Sequence, residues 1–262
     1  MRVAAIQLEL HDDESYEARL ARVRALIQRA QGADLVLLPE MWTIGYFSFD
    51  AYRAGAEQLE ERTVPALAAE ARRLNAYLLT GSFPERDGDA LYNTSVLLDP
   101  RGRVVAVYRK IHLFGYDSAE ARLLTPGRAV VVAQTELGAL GITTCYDLRF
   151  PELYRRLAER GAEVFLVASA WPYPRLEHWL LLTQVRALEN LVFLAAANCT
   201  GVNRGSRLVG HSRIVDPWGV AIAQAGDEEA IVTTEIDRSA VARTRATFPA
   251  WHDRVAALQG PS

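Results

Sequence analysis

The chain has 262 residues, half of them hydrophobic, enough for one large domain over 1–262 with a sizeable core. Lys plus Arg is 29 and Asp plus Glu is 32, a formal charge of −3, so nothing electrostatic suggests a nucleic-acid or anionic-membrane partner. No apolar run reaches the roughly 18 to 20 residues that span a bilayer, the N-terminus turns acidic too soon for a signal peptide, and two cysteines make no disulfide framework; the expectation is a cytoplasmic protein.

Arg2–Leu8 reads as a short apolar strand. Tyr16–Gln31 has helical spacing in Leu20, Val23 and Ile27 and ends at Gly32, a natural left-handed cap. Leu35–Leu38 is a four-residue apolar run of the kind buried on both faces, and it stops at Pro39-Glu40. A helix over Pro65–Leu74 and a strand over Tyr77–Phe83 follow. Strands at Thr94–Leu98 and Val104–Arg109 flank Asp99-Pro100-Arg101-Gly102, a hairpin turn by composition.

The second half echoes the first. Val130–Thr135 and Leu140–Thr144 read as strands, Pro151–Arg160 as a helix ended by Gly161, and Val164–Ala168 as a buried strand stopping at Ser169-Ala170-Trp171-Pro172. Leu176–Asn190 is a long helix and Val192–Ala197 a strand. Ile214-Val215-Asp216-Pro217-Trp218-Gly219-Val220 then nearly copies Leu97–Arg103. Repeated turns and matched element order predict an α/β fold, a four-layer α-β-β-α sandwich with two internally similar halves. The tail, about residues 237–262, carries a short helical stretch and Phe248, Pro249 and Trp251, and is expected to dock, a second subunit being one surface for it.

Three strand ends carry candidate chemistry. Cys145 follows Leu140–Thr144 and precedes a helix, where α/β proteins bind ligands and backbone N–H groups meet anions; equally, a free cysteine is often only a buried structural residue. Glu40 ends its strand beside the apolar stretch Met41–Phe47, which would desolvate it and raise its pKa toward that of a general base, although loop glutamates are commonly just exposed. Lys110 closes Val104–Arg109, and taken alone it is an ordinary solvated lysine. There is no G-x-S-x-G elbow, no phosphate- or dinucleotide-binding glycine loop, and no metal-ligand spacing among the five histidines. No cofactor or metal is expected, and a cysteine nucleophile here would need a base other than histidine.

Leu37-Leu38-Pro39-Glu40, Tyr108-Arg109-Lys110-Ile111-His112-Leu113-Phe114 and Cys145-Tyr146-Asp147-Leu148-Arg149-Phe150-Pro151-Glu152 together resemble the nitrilase superfamily of carbon–nitrogen hydrolases, from Val3 to about Trp251. The resemblance implies the duplicated sandwich, a Glu-Lys-Cys triad falling on Glu40, Lys110 and Cys145, a further glutamate at Glu120 shortly before Pro126-Gly127, and assembly as a homodimer or larger homo-oligomer. It implies that Glu40 takes the thiol proton and that Lys110 and the Tyr146 backbone N–H stabilise the oxyanion. The residue after the nucleophile is often Trp on the nitrilase side; Tyr146-Asp147 is similar to the amidase and ω-amidase branches. The expected substrate is a small amide, with a nitrile or acyl transfer through the same thioester as alternatives. Trp171 is expected to line the pocket, and Tyr116, Arg175 and His178 to meet a substrate carboxylate. Asp147, Arg149 and Glu152 are expected to form a structural ion-pair network.

Overall fold

The computed structural model describes residues 1–255. The first half runs β1 (Arg2–Leu10), α1 (Tyr16–Arg29), β2 (Leu35–Leu37), the short α2 (Tyr52–Gly55), α3 (Thr63–Leu74), β3 (Tyr77–Asp87), β4 (Ala90–Leu98), β5 (Val104–Arg109) and the one-turn α4 (Glu120–Leu123). β1, β2 and β3 are parallel, and β4 and β5 fold back antiparallel. After β6 (Val132–Thr135), the order repeats as β7 (Gly138–Thr144), α5 (Pro151–Glu159), β8 (Val164–Ser169), α6 (Leu176–Asn190), β9 (Phe193–Asn203), the short β10 (Ser206–Arg207), β11 (Arg213–Val215) and β12 (Ala221–Gln224). Here β7, β8 and β9 are parallel, and β11 and β12 antiparallel.

The closing strands cross over. β6 follows the first half in the chain but pairs with β7, and β13 (Ala230–Glu235) follows the second half but pairs with β1. Each half therefore supplies the edge strand of the other's sheet. The ends of β1 and β9 also pair, Leu8 opposite Cys199, joining both sheets into one hydrogen-bonded array.

Side-chain alternation along the strands builds the four layers. Ala4, Ile6, Val36, Leu38, Leu78 and Val96 pack under α1 and α3 through Val23, Ile27, Leu67 and Ala71. Their neighbours Val3, Ala5, Leu35, Leu37 and Leu79 belong instead to the core cluster holding Leu140, Ile142, Val164 and Leu166 of the second sheet. Fully burying each such Val, Leu or Ile side chain contributes about 1.5–3 kcal/mol. α5 and α6 cover the far side through Tyr154, Leu157, Trp179 and Ala187.

Two departures from the sequence reading have local causes. α1 ends at Arg29, and Gly32 takes its positive φ of 85° in the turn beyond. β3 and β4 extend into a long hairpin around Gly88, whose φ is 58°. In the tail, α7 (Ser239–Thr247) is followed by a turn that lays Trp251 on its own chain, with the guanidiniums of Arg254 and Arg245 3.7 and 4.4 Å from the ring centre. The rest of the expected subunit-contacting tail, 256–262, lies outside the described residues. No helix among them is long and apolar enough to cross a membrane.

Candidate active site

β2, β5 and β7 end at one place, and their terminal residues meet there. Glu40, Lys110 and Glu120 have no exposed surface, and Cys145 keeps 7 % of its own. The Lys110 Nζ donates to Glu40 Oε1 at 2.8 Å and to both Glu120 oxygens at 2.9 Å.

Each residue reaches the site for a traceable reason. The turn bearing Glu40 packs against β3 where Gly81, at φ 67°, leaves no Cβ to strike the Pro39 carbonyl; an added Cβ would lie 2.1 Å from it. The Glu40 backbone N–H donates to Ser169 O (3.2 Å), while its Oε2 accepts the Ala170 N–H (3.0 Å). The two half-repeats are thus laced together at matching strand ends. Glu120 returns to Lys110 because the chain crosses β5 at Gly127, where a Cβ would sit 1.9 Å from the Arg109 carbonyl; Gly127 N–H donates to Lys110 O. That contact explains a Pro-Gly pair just after the glutamate. Tyr46 Oη and the Phe114 N–H also donate to Glu120 Oε2.

Cys145 sits at φ +45°, a strained conformation for a residue with a Cβ, on the tight turn after β7. Asp147 holds that turn. It accepts from the Thr144 N–H (2.9 Å), the Tyr108 hydroxyl (2.6 Å) and the His112 N–H (3.1 Å), with His112 Nδ1 2.7 Å away. Asp147 thereby ties the cysteine turn to the loop after Lys110. It is structural as expected, but with other partners: no ion pair joins Asp147, Arg149 and Glu152 among the described residues. The two elements are more firmly fixed by one buried carboxylate than by exposed ion pairs.

The electrostatics follow from burial. Desolvation raises the Glu40 carboxyl above its usual value, Lys110 pulls it down, and Glu120 pushes it up again. Desolvation alone would lower Lys110, but the Glu120 and Glu40 carboxylates outweigh it and hold the ammonium well above its usual range. Burial also pushes the Cys145 thiol up, and the facing Glu40 carboxylate adds to this against the opposing pull of Lys110. The resting sulfur is therefore a thiol, with the Glu40 carboxyl group beside it.

A narrow cleft, partly open to solvent, leads to Cys145 and is lined by Tyr46, Phe114, Tyr146, Arg149, Trp171 and Arg175, among others. Trp171 and Arg175 line it. Tyr116 does not; it is 73 % exposed and stands behind Phe114, with ring centres 6.5 Å apart. His178 lies outside the lining and holds Arg149 from behind, Nδ1 to Nη2 at 3.1 Å. The Arg149 guanidinium is further fixed over the Trp171 ring at 5.0 Å, and that of Arg175 lies 5.7 Å from the Phe114 ring centre. Neither arginine has a carboxylate partner among the described residues.

The sequence profile of the carbon-nitrogen hydrolase family matches residues 2–246. The chain belongs to the carbon–nitrogen hydrolases. This hydrolase is 40 % identical to the 2-oxoglutaramate amidase of Paenarthrobacter nicotinovorans, over 96 % of its own length and 88 % of that protein's. It is 35 % identical to the omega-amidase NIT2 of Homo sapiens, over 97 % and 94 %. Among solved structures it is similar to XC1258 of Xanthomonas campestris, a CN-hydrolase superfamily protein with an arsenic adduct in its active site. There the TM-score is 0.91 and the identity 31 %, covering 98 % of this hydrolase and 97 % of that chain.

Three site residues are not legible in the sequence: Tyr46, whose hydroxyl donates to Glu120, Arg149 and Asn93. Arg149 was assigned to a structural network, yet it faces the cleft. Asn93, on β4, was not considered; its Nδ2 donates to Glu40 Oε1 and Glu120 Oε1, both at 2.8 Å.

Proposed function

We propose that this hydrolase cleaves the terminal amide of a small dicarboxylic acid, giving the diacid and ammonia through a thioester on Cys145. The observation that carries the substrate class is the pair of guanidiniums, Arg149 and Arg175, lining the cleft without an acidic partner. A cavity wall with two unpaired positive charges favours an anionic group on the ligand. The named activities of the 2-oxoglutaramate amidase and the omega-amidase point the same way.

In this reading Glu40 takes the thiol proton as Sγ bonds to the amide carbon and the carbonyl pair moves onto oxygen. At rest Lys110 donates to Glu40 Oε1 and to both Glu120 oxygens; giving up one of the two Glu120 contacts turns an N–H toward the oxyanion, joined by the Tyr146 N–H. One such donor is worth roughly 3–4 kcal/mol of barrier. Collapse breaks the C–N bond, and the nitrogen leaves as ammonia with the proton held on Glu40. Water then passes a proton to Glu40 as it adds to the thioester. The C–S bond breaks, and the sulfur recovers the proton. Glu120 keeps Lys110 in place throughout, and Trp171 walls the acyl group.

Ammonia release from succinamate, 2-oxoglutaramate and propionamide tests both halves of the proposal. The two anionic amides should be preferred, and Cys145→Ala should abolish release from all three. Equal rates on succinamate and propionamide would remove the dicarboxylate reading, and release unaffected by Cys145→Ala would remove the mechanism. The two free thiols fit a reducing cytoplasm. The exposed apolar row Leu181, Val185 and Leu188 on α6, beside Trp218 and Phe248, supports association as a homodimer or larger homo-oligomer.

A further inference from the structure

Asn93 is fully buried on β4, and the strand register sets Thr94 opposite Arg109, so Asn93 stands across from Lys110. The Lys110 backbone N–H donates to Asn93 O at 2.9 Å, binding the two positions. Their side chains reach the same two atoms: Glu40 Oε1 and Glu120 Oε1 each accept from Lys110 Nζ and from Asn93 Nδ2, at 2.8 to 2.9 Å. The result is a closed ring of two acceptors and two donors. Asn93 Oδ1, on the other side, is buried with no hydrogen-bond partner. The amide cannot turn to relieve this, because Oδ1 would then face two carboxylates. A buried acceptor left unmade is costly, so this placement favours the ring over the residue's own satisfaction.

We propose that Asn93 is a positioning residue that holds the Glu40 and Glu120 carboxylates together on Lys110, keeping Glu40 aimed and ready as an unprotonated base. This rests on the thiol mechanism above. A lysine or arginine at position 93 would add charge, and an aspartate would supply an acceptor where a donor is needed. Only a neutral group with two hydrogens bridges both carboxylates without disturbing the charge balance. The groups facing Glu40 are otherwise Lys110, Glu120, Cys145, Tyr46, Tyr52 and, behind its backbone carbonyl, Cys199. Of these, Lys110 alone shares with Asn93 the task of donating to Glu40 Oε1.

A donor stabilises the ionised carboxylate, so its loss raises the pKa of Glu40 and moves the acid limb of activity to higher pH. Asn93→Ala, Asn93→Ser and Asn93→Asp should be compared with wild type for amide hydrolysis and for Cys145 alkylation by iodoacetamide across pH. Thermal unfolding reports whether each is folded. Asn93→Ala should lose about ten- to a hundredfold in kcat with KM little changed, and its acid limb should rise by about one pH unit. Asn93→Ser, with one donor, should fall between it and wild type, and Asn93→Asp should be the slowest. Alkylation needs no amide substrate, so the shifted limb appears there even if the enzyme's amide is of another class. A folded Asn93→Ala or Asn93→Ser with wild-type kcat and an unmoved limb in both assays overturns the proposal. So does Asn93→Asp at wild-type rate.

Discussion

Replacing Arg149 by methionine keeps an apolar stem in the cleft wall and removes one charge. A substrate carboxylate about 4 Å from that guanidinium gains roughly 4 kcal/mol at an effective dielectric near 20. The cleft is partly open and Arg149 only half-buried, so water and salt reduce this to the roughly 1.5–3 kcal/mol of a charged hydrogen bond. Arg149→Met should therefore lose about ten- to a hundredfold in kcat/KM on succinamate, while propionamide stays within about threefold. Arg175 is held by the Phe114 ring rather than by a hydrogen bond, and Arg175→Met should cost less, about three- to tenfold. Raising the salt should shrink the wild-type preference for succinamate and leave propionamide unchanged. Steady-state ammonia release gives these ratios, and the rate of Cys145 alkylation by neutral iodoacetamide checks that the cysteine turn is intact. Equal losses on the charged and the neutral amide would mean that the arginines only shape the wall, and the reasoning would fail.

The strand ends were legible because apolar runs stop abruptly at Pro39-Glu40, Lys110 and Cys145. The duplicated Asp-Pro-x-Gly turn announced the two halves, although not the exchange of β6 and β13, which depends on pairings between distant segments. Asn93 was hidden by a bulge. Counting back from the turn pairs Leu98 with Val104 and would set Asn93 against Arg109. The register slips between Leu97 and Leu98, and the true neighbour becomes Lys110. Tyr116 and Tyr46 show the opposite failure. Nearness in sequence to Lys110 favoured Tyr116, whereas the loop after Glu40 delivers Tyr46, whose hydroxyl meets Glu120. The role of Arg149 was equally hidden, since only the folded turn shows which side faces the cleft.

The two cysteines should separate cleanly on labelling. Cys145 retains slight exposure and opens onto the cleft, whereas Cys199 is wholly buried with its Sγ 3.6 Å from the Glu40 carbonyl, so mass spectrometry should find iodoacetamide on Cys145 alone while the protein is folded. Modification of Cys199 at a similar rate would contradict the burial described. Gly127→Ala should impair folding, because the added methyl meets the Arg109 backbone; a variant with unchanged melting would refute that close approach. The sharpest contrast concerns stability. Glu40 has a folded pKa above its unfolded value, so its ionisation opposes folding. That cost is absent below the unfolded pKa near 4.5 and develops as pH rises through the folded pKa. Glu40→Gln removes the cost at pH 7 and leaves Lys110 paired with Glu120. It should be inactive yet melt no lower than wild type, and its margin over wild type should shrink on acidification. Lys110→Met does the reverse: it strands Glu40 and Glu120 against each other with no exposed surface on either. Breaking a buried pair in this way costs about 3–5 kcal/mol, and for this destabilisation the sign of the pH dependence is also fixed. Protonating the stranded carboxyls relieves the repulsion, so Lys110→Met should recover stability relative to wild type as pH falls. Melting curves of both variants between pH 5 and 8 decide the matter. A Glu40→Gln protein clearly less stable than wild type at pH 7 would show that the carboxylate supports the fold, and the account of a strained, function-bearing charge cluster would be wrong.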